Sequence, residues 1–300
     1  MSNLNVNFCG IEFKNPIITA SGTFGNGREY NDFYDISSLG GITVKGISHK
    51  EWKGNQTPRI AETYGGMLNA IGLQNKGVDN FLEKEINFLE NIDTKVIVNV
   101  CGHSIEEFVN VIQKLEPTKV DMYELNVSCP NVTEGGIAFG TDEKVLYNVV
   151  KEVKKHCTKP LVIKLSPNVT DIVKMAKACE EGGADGISLI NTLIGMNIDI
   201  YKRKPLLANR TGGFSGPAIK PVAVRMVNQV ANSVKLPIIG MGGVTTYEDA
   251  IEFIMAGATL VAIGTGNFIN PFTPVEVIKG IDDFMVNQKI QDLKEIRGII

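Results

Sequence analysis

Residues 161–190, which read LVIKLSPNVTDIVKMAKACEEGGADGISLI, decide the fold of this 300-residue chain. A short apolar run at 161–164 is followed by a polar segment, after which Thr170-Asp171 opens a pattern typical of an amphipathic helix. A second apolar run follows at 186–190. Near-continuous apolar strands separated by a helix are typical of a parallel sheet that is covered on both faces.

The same alternation of strand and helix extends over most of the sequence. Apolar, β-branched runs predict eight strands, at 16–20, 41–45, 96–100, 121–126, 161–164, 186–190, 237–240 and 259–263. Further helix starts are indicated by Ser104-Ile-Glu-Glu107, which resembles a capping box, and by Thr245-Thr-Tyr-Glu248. This pattern predicts the α/β class and, within it, a (β/α)₈ TIM barrel.

A doubly wound open sheet is the alternative fold. It is disfavoured because no G-x-G-x-x-G follows the first strand. The nearest approach, Gly240-Met-Gly-Gly-Val-Thr245, ends in Thr and comes late in the chain. Two segments look like additions to a plain barrel: a β-hairpin over 6–13 that turns at Gly10 and could close the barrel bottom, and a long Gly-rich insertion at 191–215 after the sixth strand. With no low-complexity linker or tandem repeat, residues 1–300 are expected to form a single domain.

Composition narrows the class of protein. Hydrophobic residues make up 43% of the chain, and the net charge of -3 gives no basic field for nucleic acid. The chain shows neither a membrane-length apolar stretch nor a signal peptide, so a cytoplasmic protein is expected. The five cysteines (9, 101, 129, 157 and 179) contain no Cys-x-x-Cys, and the three histidines form no spaced motif, so no disulfide framework or metal site is expected.

Polar residues recur where the predicted strands end. They are Ser21, Lys45, Asn99, Asn126, Lys164 and Asn191, and the last two strands end at Gly242-Gly243 and Gly264-Thr265-Gly266. Barrel active sites lie at this end of the strands, and paired glycines there let backbone N–H groups approach a phosphate. Each residue alone also fits a solvated loop or a tight turn, but the recurrence favours a site for a phosphorylated ligand.

A flavin suits the remaining polar residues. A lysine near flavin N1 and O2 stabilises the negative charge of the reduced ring, and Lys164 is a candidate for that role, with Asn99 and Ser21 as further hydrogen-bonding groups. A lysine that only caps a strand end is the alternative. Cys129, in Asn126-Val-Ser-Cys-Pro-Asn131, is either an inert loop thiol or a base whose thiolate is favoured by nearby lysines. The Gly-rich stretch from Glu134 to Gly140 that follows is a candidate lid.

Four short motifs together resemble the class 1 dihydroorotate dehydrogenase family, in its order and spacing over essentially the whole chain. They are Thr43-Val-Lys-Gly46, Asn69-Ala-Ile-Gly-Leu-Gln-Asn75, Asn126-Val-Ser-Cys-Pro-Asn131 and Gly242-Gly243. The resemblance implies FMN as cofactor and dihydroorotate as substrate, with Cys129 taking a proton from substrate C5 while the C6 hydride passes to flavin N5. The residues implied for the substrate are Lys45, Asn69, Gly72, Leu73, Asn126, Asn131, Asn191 and Thr192. Those implied for FMN are Ser21, Lys45, Gly46, Asn99, Asn126, Lys164, Ile190, Gly216, Gly242, Gly243, Gly264 and Thr265.

Within class 1, Ala20-Ser-Gly-Thr-Phe-Gly-Asn-Gly27 and Asn31-Asp-Phe-Tyr-Asp35 resemble the NAD-linked type, class 1B. That resemblance implies a partner electron-transfer subunit with FAD and a [2Fe–2S] cluster, in a heterotetramer, because this chain has neither a dinucleotide fingerprint nor a cysteine cluster. Three alternatives stay open: a dihydropyrimidine dehydrogenase, the fumarate-linked class 1A enzyme, and a catalytically silent barrel that binds a phosphorylated ligand.

Overall fold

The computed structural model of the protein describes residues 3–127 and 139–300. In those ranges the strands are, in chain order, β1 (Val6–Phe8), β2 (Ile11–Phe13), β3 (Ile17–Thr19), β4 (Gly41–Thr43), β5 (Ile60–Thr63), β6 (Gly66–Asn69), β7 (Lys95–Val100), β8 (Met122–Asn126), β9 (Leu161–Lys164), β10 (Gly186–Leu189), β11 (Leu193–Gly195), β12 (Ile198–Asp199), β13 (Lys204–Pro205), β14 (Gly212–Ser215), β15 (Ile238–Met241) and β16 (Leu260–Ile263). The α-helices are α1 (Arg28–Asn31), α2 (Val78–Lys84), α3 (Ile86–Leu89), α4 (Ile105–Leu115), α5 (Glu143–Lys154), α6 (Ile172–Glu181), α7 (Lys220–Ala231), α8 (Tyr247–Met255), α9 (Gly266–Ile269) and α10 (Thr273–Gln288). Short 3₁₀ helices lie at Ile36–Ser38, Pro217–Ile219 and Leu293–Glu295.

Eight of these strands form a closed parallel barrel. Its order is β3, β4, β7, β8, β9, β10, β15 and β16, and β16 closes on β3 with Val261 opposite Ile17. Each of the eight predicted runs overlaps one barrel strand, so the TIM-barrel prediction is confirmed and the open-sheet alternative is wrong. Strands such as β9 are buried at every position, because the barrel interior covers one face and the helices cover the other.

The predicted helix starts are confirmed, with two differences in the caps. Ser104 caps α4 by accepting from the Glu107 N–H, but the Glu107 side chain accepts from His103 instead of closing the box on Ser104. Asp171 caps α6, and Thr246 caps α8 in a full capping box that uses Asp249. No helix in the described part of the chain is both long and apolar enough to cross a membrane.

The predicted N-terminal hairpin is formed by β1 and β2, which pair antiparallel and turn at Cys9 and Gly10. Its buried Phe8 lies against Gly186, the first residue of β10, and Phe13 lies against Gly41, the first residue of β4. Because both contacts are at the N-terminal ends of barrel strands, the hairpin closes the bottom of the barrel, as predicted.

A second sheet covers part of the opposite end, and is called here the roof sheet. Its strands, in the order β11, β14, β6 and β5, come from two separate insertions, one between β4 and β7 and the other after β10. The sequence predicted the second insertion only. The first was missed, because the two-residue turn Tyr64-Gly65 between Ile60–Thr63 and Gly66–Asn69 is not one of the turn pairs typical of hairpins. A small core of Leu68, Ala70 and Leu207 lies beneath the roof sheet.

Candidate active site

The described candidate residues lie where the barrel strands end at their C-terminal side. Asn99 and Asn126 are within β7 and β8, Lys164 is the last residue of β9, and Ser21 and Lys45 follow β3 and β4 by two residues. Parallel strands in a barrel end at one rim, so these side chains share the end at which barrel enzymes carry their chemistry.

A buried polar network crosses the barrel interior. Glu124 in β8 accepts hydrogen bonds from Asn99 Nδ2 at 2.6 Å and from Ser188 Oγ at 2.8 Å. Its Oε2 lies 3.6 Å from Lys164 Nζ, and that ammonium donates to Ser21 Oγ at 3.1 Å. Asn99 and Ser188 are fully buried, Glu124 is 2% exposed and Lys164 is 4% exposed. The predicted residues Ser21, Asn99 and Lys164 are therefore joined, through an acid that the sequence analysis did not single out.

Glu124 and Ser188 are the residues that sequence reasoning missed here. The available signal was the alternation along β8: Glu124 shares its side of the strand with Asn126, two residues on, so both side chains point into the barrel. A charged residue at an inward position of a fully buried strand needs a partner, and the strand-end lysines were the candidates.

Lys45 and Gly46 lie beside this network. A β-carbon built on Gly46 would lie 2.9 Å from Asn99 Oδ1 and 2.6 Å from Cys101 Sγ, and it would reach Leu73 at 3.8 Å. Lys45 is half-buried, and that burial lowers the pKa of its ammonium, as does the positive charge of Arg59, whereas Cys101 acts in the opposite direction. Lys45 is therefore a basic group in a partly dry site.

The β8, β9 and β10 ends bring the next group together. Asn126 is the register partner of Lys164 and lies 4.0 Å, through Nδ2, from Cys101 Sγ. Asn191, just after β10, donates its backbone N–H to Leu165, and its Oδ1 accepts from the Thr192 N–H at 2.8 Å. These residues therefore line one side of the barrel mouth.

Two loops, one after β14 and one after β15, meet in a glycine cradle at the barrel mouth. A β-carbon built on Gly243 would lie 2.9 Å from the carbonyl oxygen of Gly216 and 3.0 Å from the backbone nitrogen of Lys220. Gly243 has φ +82° and Gly216 has φ +111°, values that favour glycine. Gly216 begins the 3₁₀ turn that runs directly into α7, so backbone N–H groups point out of this end. The cradle suits an anion such as a phosphate.

The remaining predicted cofactor residues border the cradle. Thr265 Oγ1 donates to Ser215 Oγ at 2.8 Å and stands at the N-terminus of α9. Gly242 contacts Ile190, since a built β-carbon would lie 3.4 Å from Ile190 Cγ1. Gly264 faces Ala20, next to Ser21. The loops after the seventh and eighth barrel strands therefore meet the roof sheet at one place.

The roof sheet brings two predicted substrate residues together from distant parts of the chain. Asn69 in β6 is the register partner of Gly213 in β14, and a β-carbon on Gly213 would overlap the Thr192 side chain. Gly72 packs against Asn55, and its neighbour Leu73, with φ +51°, reaches Gly46. Cys129 and Asn131 lie outside the described residues, as does most of the candidate lid.

A separate cleft of about 710 Å³ lies away from these residues. Its lining includes Arg28, Glu83, Lys84, Asn91 and Asp93, and none of its lining residues is a predicted site residue. Arg28 is already paired with Glu85 at 2.9 Å, and Asp93 is paired with Lys14 at 3.1 Å on the surface. The strand ends are the better site because their polar groups are buried and converge. In the two described ranges, no group of three or more His, Cys, Asp or Glu side chains is placed to hold a metal ion.

A closed eight-stranded barrel with a buried lysine and amides at its C-terminal end and a glycine cradle beside them defines a TIM-barrel protein whose barrel mouth suits a phosphorylated ligand. Residues 3–285 match the family described as dihydroorotate dehydrogenase. The chain belongs to that family, whose members are flavin-dependent oxidoreductases.

Two full-length relatives share the same printed name, dihydroorotate dehydrogenase B (NAD(+)), catalytic subunit. The one from Lachnoclostridium phytofermentans is 61% identical over 298 residues, covering 99% of both chains. The one from Alkaliphilus metalliredigens is 62% identical over 296 residues, covering 99% of this chain and 98% of the relative. These relatives support the resemblance to the NAD-linked type.

Two further comparisons are with a relative that carries a different name and with a solved structure. A protein from Aquifex aeolicus, provisionally named dihydroorotate dehydrogenase A (fumarate), is 55% identical over 300 residues and covers 99% of this chain and 98% of its own. The crystal structure of a dihydroorotate dehydrogenase from Eimeria tenella in complex with ferulenol has a TM-score of 0.83 at 20% identity, covering 99% of this chain and 88% of that one. That likeness bears on the fold alone.

Proposed function

We propose that this chain oxidises dihydroorotate to orotate in pyrimidine biosynthesis, as a single FMN-binding domain in the cytoplasm. The observation that carries the proposal is the buried Lys164 ammonium at the barrel mouth, on the same end as the glycine cradle. A site for a phosphorylated flavin needs both features: an anion cradle for the phosphate and a cation near the ring.

The described residues fit FMN. The glycine cradle exposes backbone N–H groups at a place where side chains would block a phosphate. It consists of Gly216, Gly242 and Gly243, with Gly264 and Thr265 beside it. Ser21, Asn99, Asn126 and Lys164 offer donors and acceptors to a flavin ring, with Lys45, Gly46 and Ile190 around them. When bound, FMN supplies the acceptor for the hydride that leaves substrate C6.

The chain's own residues hold the substrate and move its proton. Asn69, Asn126, Asn131 and Asn191 offer amide groups that match the alternating donors and acceptors of a pyrimidine, with Thr192 and the backbone of Gly72 and Leu73 completing the pocket. Lys45 is the cation for the substrate's negative charge. Cys129 removes the proton from C5, so loss of a proton at C5 and a hydride at C6 leaves the C5–C6 double bond of orotate.

The first experiment uses the purified chain with its visible spectrum recorded. Dihydroorotate added without oxygen is expected to bleach a flavin band, whereas dihydrouracil, which lacks the carboxylate, is not. A colourless protein, or a flavin that no dihydropyrimidine bleaches, would favour the silent barrel. Bleaching by dihydrouracil alone would favour a dihydropyrimidine dehydrogenase.

The base is tested by a matched pair of cysteine variants. Cys129→Ala is expected to keep FMN but to bleach more slowly by about 10²–10⁴-fold, the usual contribution of a general base. Cys157→Ala is the control, since Cys157 lies just beyond α5 and its thiol donates to the Val153 carbonyl, away from the barrel mouth. Equal bleaching rates in the two variants would reject Cys129 as the base.

A further inference from the structure

The barrel interior holds a carboxylate for which the proposed reaction has no direct use. Glu124 has both oxygens engaged, Oε2 by Asn99 Nδ2 at 2.6 Å and Oε1 by Ser188 Oγ at 2.8 Å. These two bonds come from β7 and β10, so they fix the carboxylate from both sides of its own strand. A carboxylate held in this way cannot rotate toward water.

The fixed charge faces a buried cation. Lys164 Nζ lies 3.6 Å from Glu124 Oε2, a contact of charges that is too long for a strong hydrogen bond. The two side chains are 5% and 2% exposed, so neither charge is well solvated. A buried ammonium without a counter-ion is unstable: it loses its proton or moves toward water.

Lys164 also spans the barrel mouth. It leaves β9 and donates to Ser21 Oγ at 3.1 Å, beyond the end of β3, which is the strand opposite β9 in the barrel order. An extended lysine in this position is held at its tip by Ser21 and from below by Glu124. Loss of the lower contact removes the charge that holds the Lys164 ammonium in its inward position.

We propose that Glu124 is a positioning residue that holds the Lys164 ammonium in place next to the bound flavin. The inference rests on the proposed function, because it assumes that a flavin lies over Lys164. Along β8, Glu124 lies one inward-facing position before Asn126, and Asn126 pairs with Lys164 of β9. The Asn126 and Lys164 side chains therefore lie between Glu124 and the barrel mouth. Its influence on the flavin therefore passes through Lys164.

The test measures the reduction potential of the bound flavin. The wild-type protein must first bind flavin, and dihydroorotate must bleach that flavin. If either step fails, the proposed function is wrong, and that result is distinct from any effect of Glu124. Given a functional wild type, Glu124→Gln keeps the shape of the side chain and removes its charge. We expect the ratio of reduced to oxidised flavin, against a reference dye, to fall about tenfold or more, because the lysine ammonium is no longer held beside the reduced ring that it stabilises.

A double-mutant cycle separates this role from a structural one. Lys164→Met is expected to lower the same ratio, and Glu124→Gln added to Lys164→Met is expected to lower it no further, because the acid acts through the lysine. Glu106→Gln, on the exposed first turn of α4, makes the same change in net charge and is expected to leave the ratio at the wild-type value.

Three outcomes would overturn the proposal: an unchanged ratio in Glu124→Gln, a raised ratio, or an additive fall in the double variant. A lower melting temperature of the flavin-free variant with an unchanged ratio would assign Glu124 a structural role only. If Glu124→Gln does not fold, Glu124→Asp keeps the charge and is expected to retain a near wild-type ratio. A ratio in that variant as low as in Lys164→Met would also defeat the proposal.

Discussion

Burial makes the described cysteines less reactive than an exposed thiol. Loss of solvation is the main cause that raises the pKa of Cys9 and of Cys157 to about 12, and it also raises the pKa of the fully buried Cys179. A higher thiol pKa means less thiolate at neutral pH, by on the order of a thousandfold relative to an ordinary thiol. Cys101 is also buried.

Alkylation at pH 7 should therefore be selective. We expect iodoacetamide to modify Cys129 before the other four cysteines, with at least a tenfold faster rate, roughly, if it is the exposed base that the proposal requires. Peptide mass spectrometry of a labelling time course measures the five rates, and orotate should slow the modification of Cys129. Comparable labelling of Cys9 or Cys157 would contradict the burial argument.

Lys45 gives a prediction about pH. Since burial, first, and Arg59, second, lower its pKa, the free enzyme should lose this cation at a lower alkaline pH than an ordinary lysine would. The value of kcat/KM for dihydroorotate, which reports on the free enzyme, is expected to fall as pH rises through that pKa.

Lys45→Arg supplies the comparison, because a guanidinium stays charged throughout this range. Its alkaline limb is expected to lie about one pH unit or more above that of the wild type, whatever its absolute rate. Superimposable alkaline limbs in the two proteins would assign that ionisation to another group.

The sequence predicts which residues belong to the site better than it predicts the contacts between them. Lys164, Asn99 and Ser21 were recognised because each ends an apolar strand where packing alone gives no reason for it. Glu124 was missed because it lies inside a strand, and only the closed barrel shows that Asn99, Ser188 and Lys164 converge on it. The register that creates such a cluster is a tertiary property that no single strand reveals.

At the scale of elements, the glycine cradle depends on a close approach of two loops. Gly243→Ala would place a methyl group 2.9 Å from the Gly216 carbonyl oxygen, in addition to the strain of its positive φ. We expect this variant to lose FMN affinity by at least tenfold, roughly, because the two loops must separate to admit the methyl group.

Gly10→Ala is a matched control, because Gly10 has the same φ of +82° and open space around it. Both variants should lose about 1–2 kcal/mol of stability from the backbone strain, but only Gly243→Ala should release flavin. Fluorescence titration with FMN and thermal unfolding without FMN measure the two effects separately. Equal FMN affinities in the two variants would refute a phosphate site at the cradle.

The barrel strands were predictable because each is a buried apolar run with its own helix after it. The β5–β6 hairpin was not predicted, because Ile60, Glu62 and Thr63 are poorly buried and carry no apolar face of their own. That hairpin is stabilised by pairing with β14, which lies about 145 residues later in the chain. Its structure is therefore imposed by a partner rather than by local pattern.

At the scale of the whole molecule, the question is where the electrons go. The chain has no dinucleotide fingerprint, and Gly240-Met-Gly-Gly-Val-Thr245 spans the end of β15 and the loop after it, as part of the glycine cradle. We therefore expect the purified chain to reduce NAD at a rate at least about 100-fold below its bleaching rate with dihydroorotate, and to need an electron-transfer subunit with FAD and a [2Fe–2S] cluster, in a heterotetramer.

Anaerobic turnover with NAD, with and without that subunit, measures the dependence, and sedimentation gives the stoichiometry. Rapid NAD reduction by this chain alone would defeat the expectation. Direct turnover with fumarate would instead favour the fumarate-linked type, to which the relative from Aquifex aeolicus is provisionally assigned by name.

The roof sheet has a consequence for anyone who wishes to exchange substrate preferences among barrels of this kind. Asn69 and Thr192 both lie next to Gly213 of β14; Asn69 reaches it because β6 pairs with β14, and these two strands belong to different insertions. A chimera that receives the 46–77 segment from a relative but keeps its own 191–216 segment would pair β6 of one protein with β14 of another. If Asn69 and Thr192 hold the substrate as proposed, we expect transplanted specificity to require both segments from the same protein.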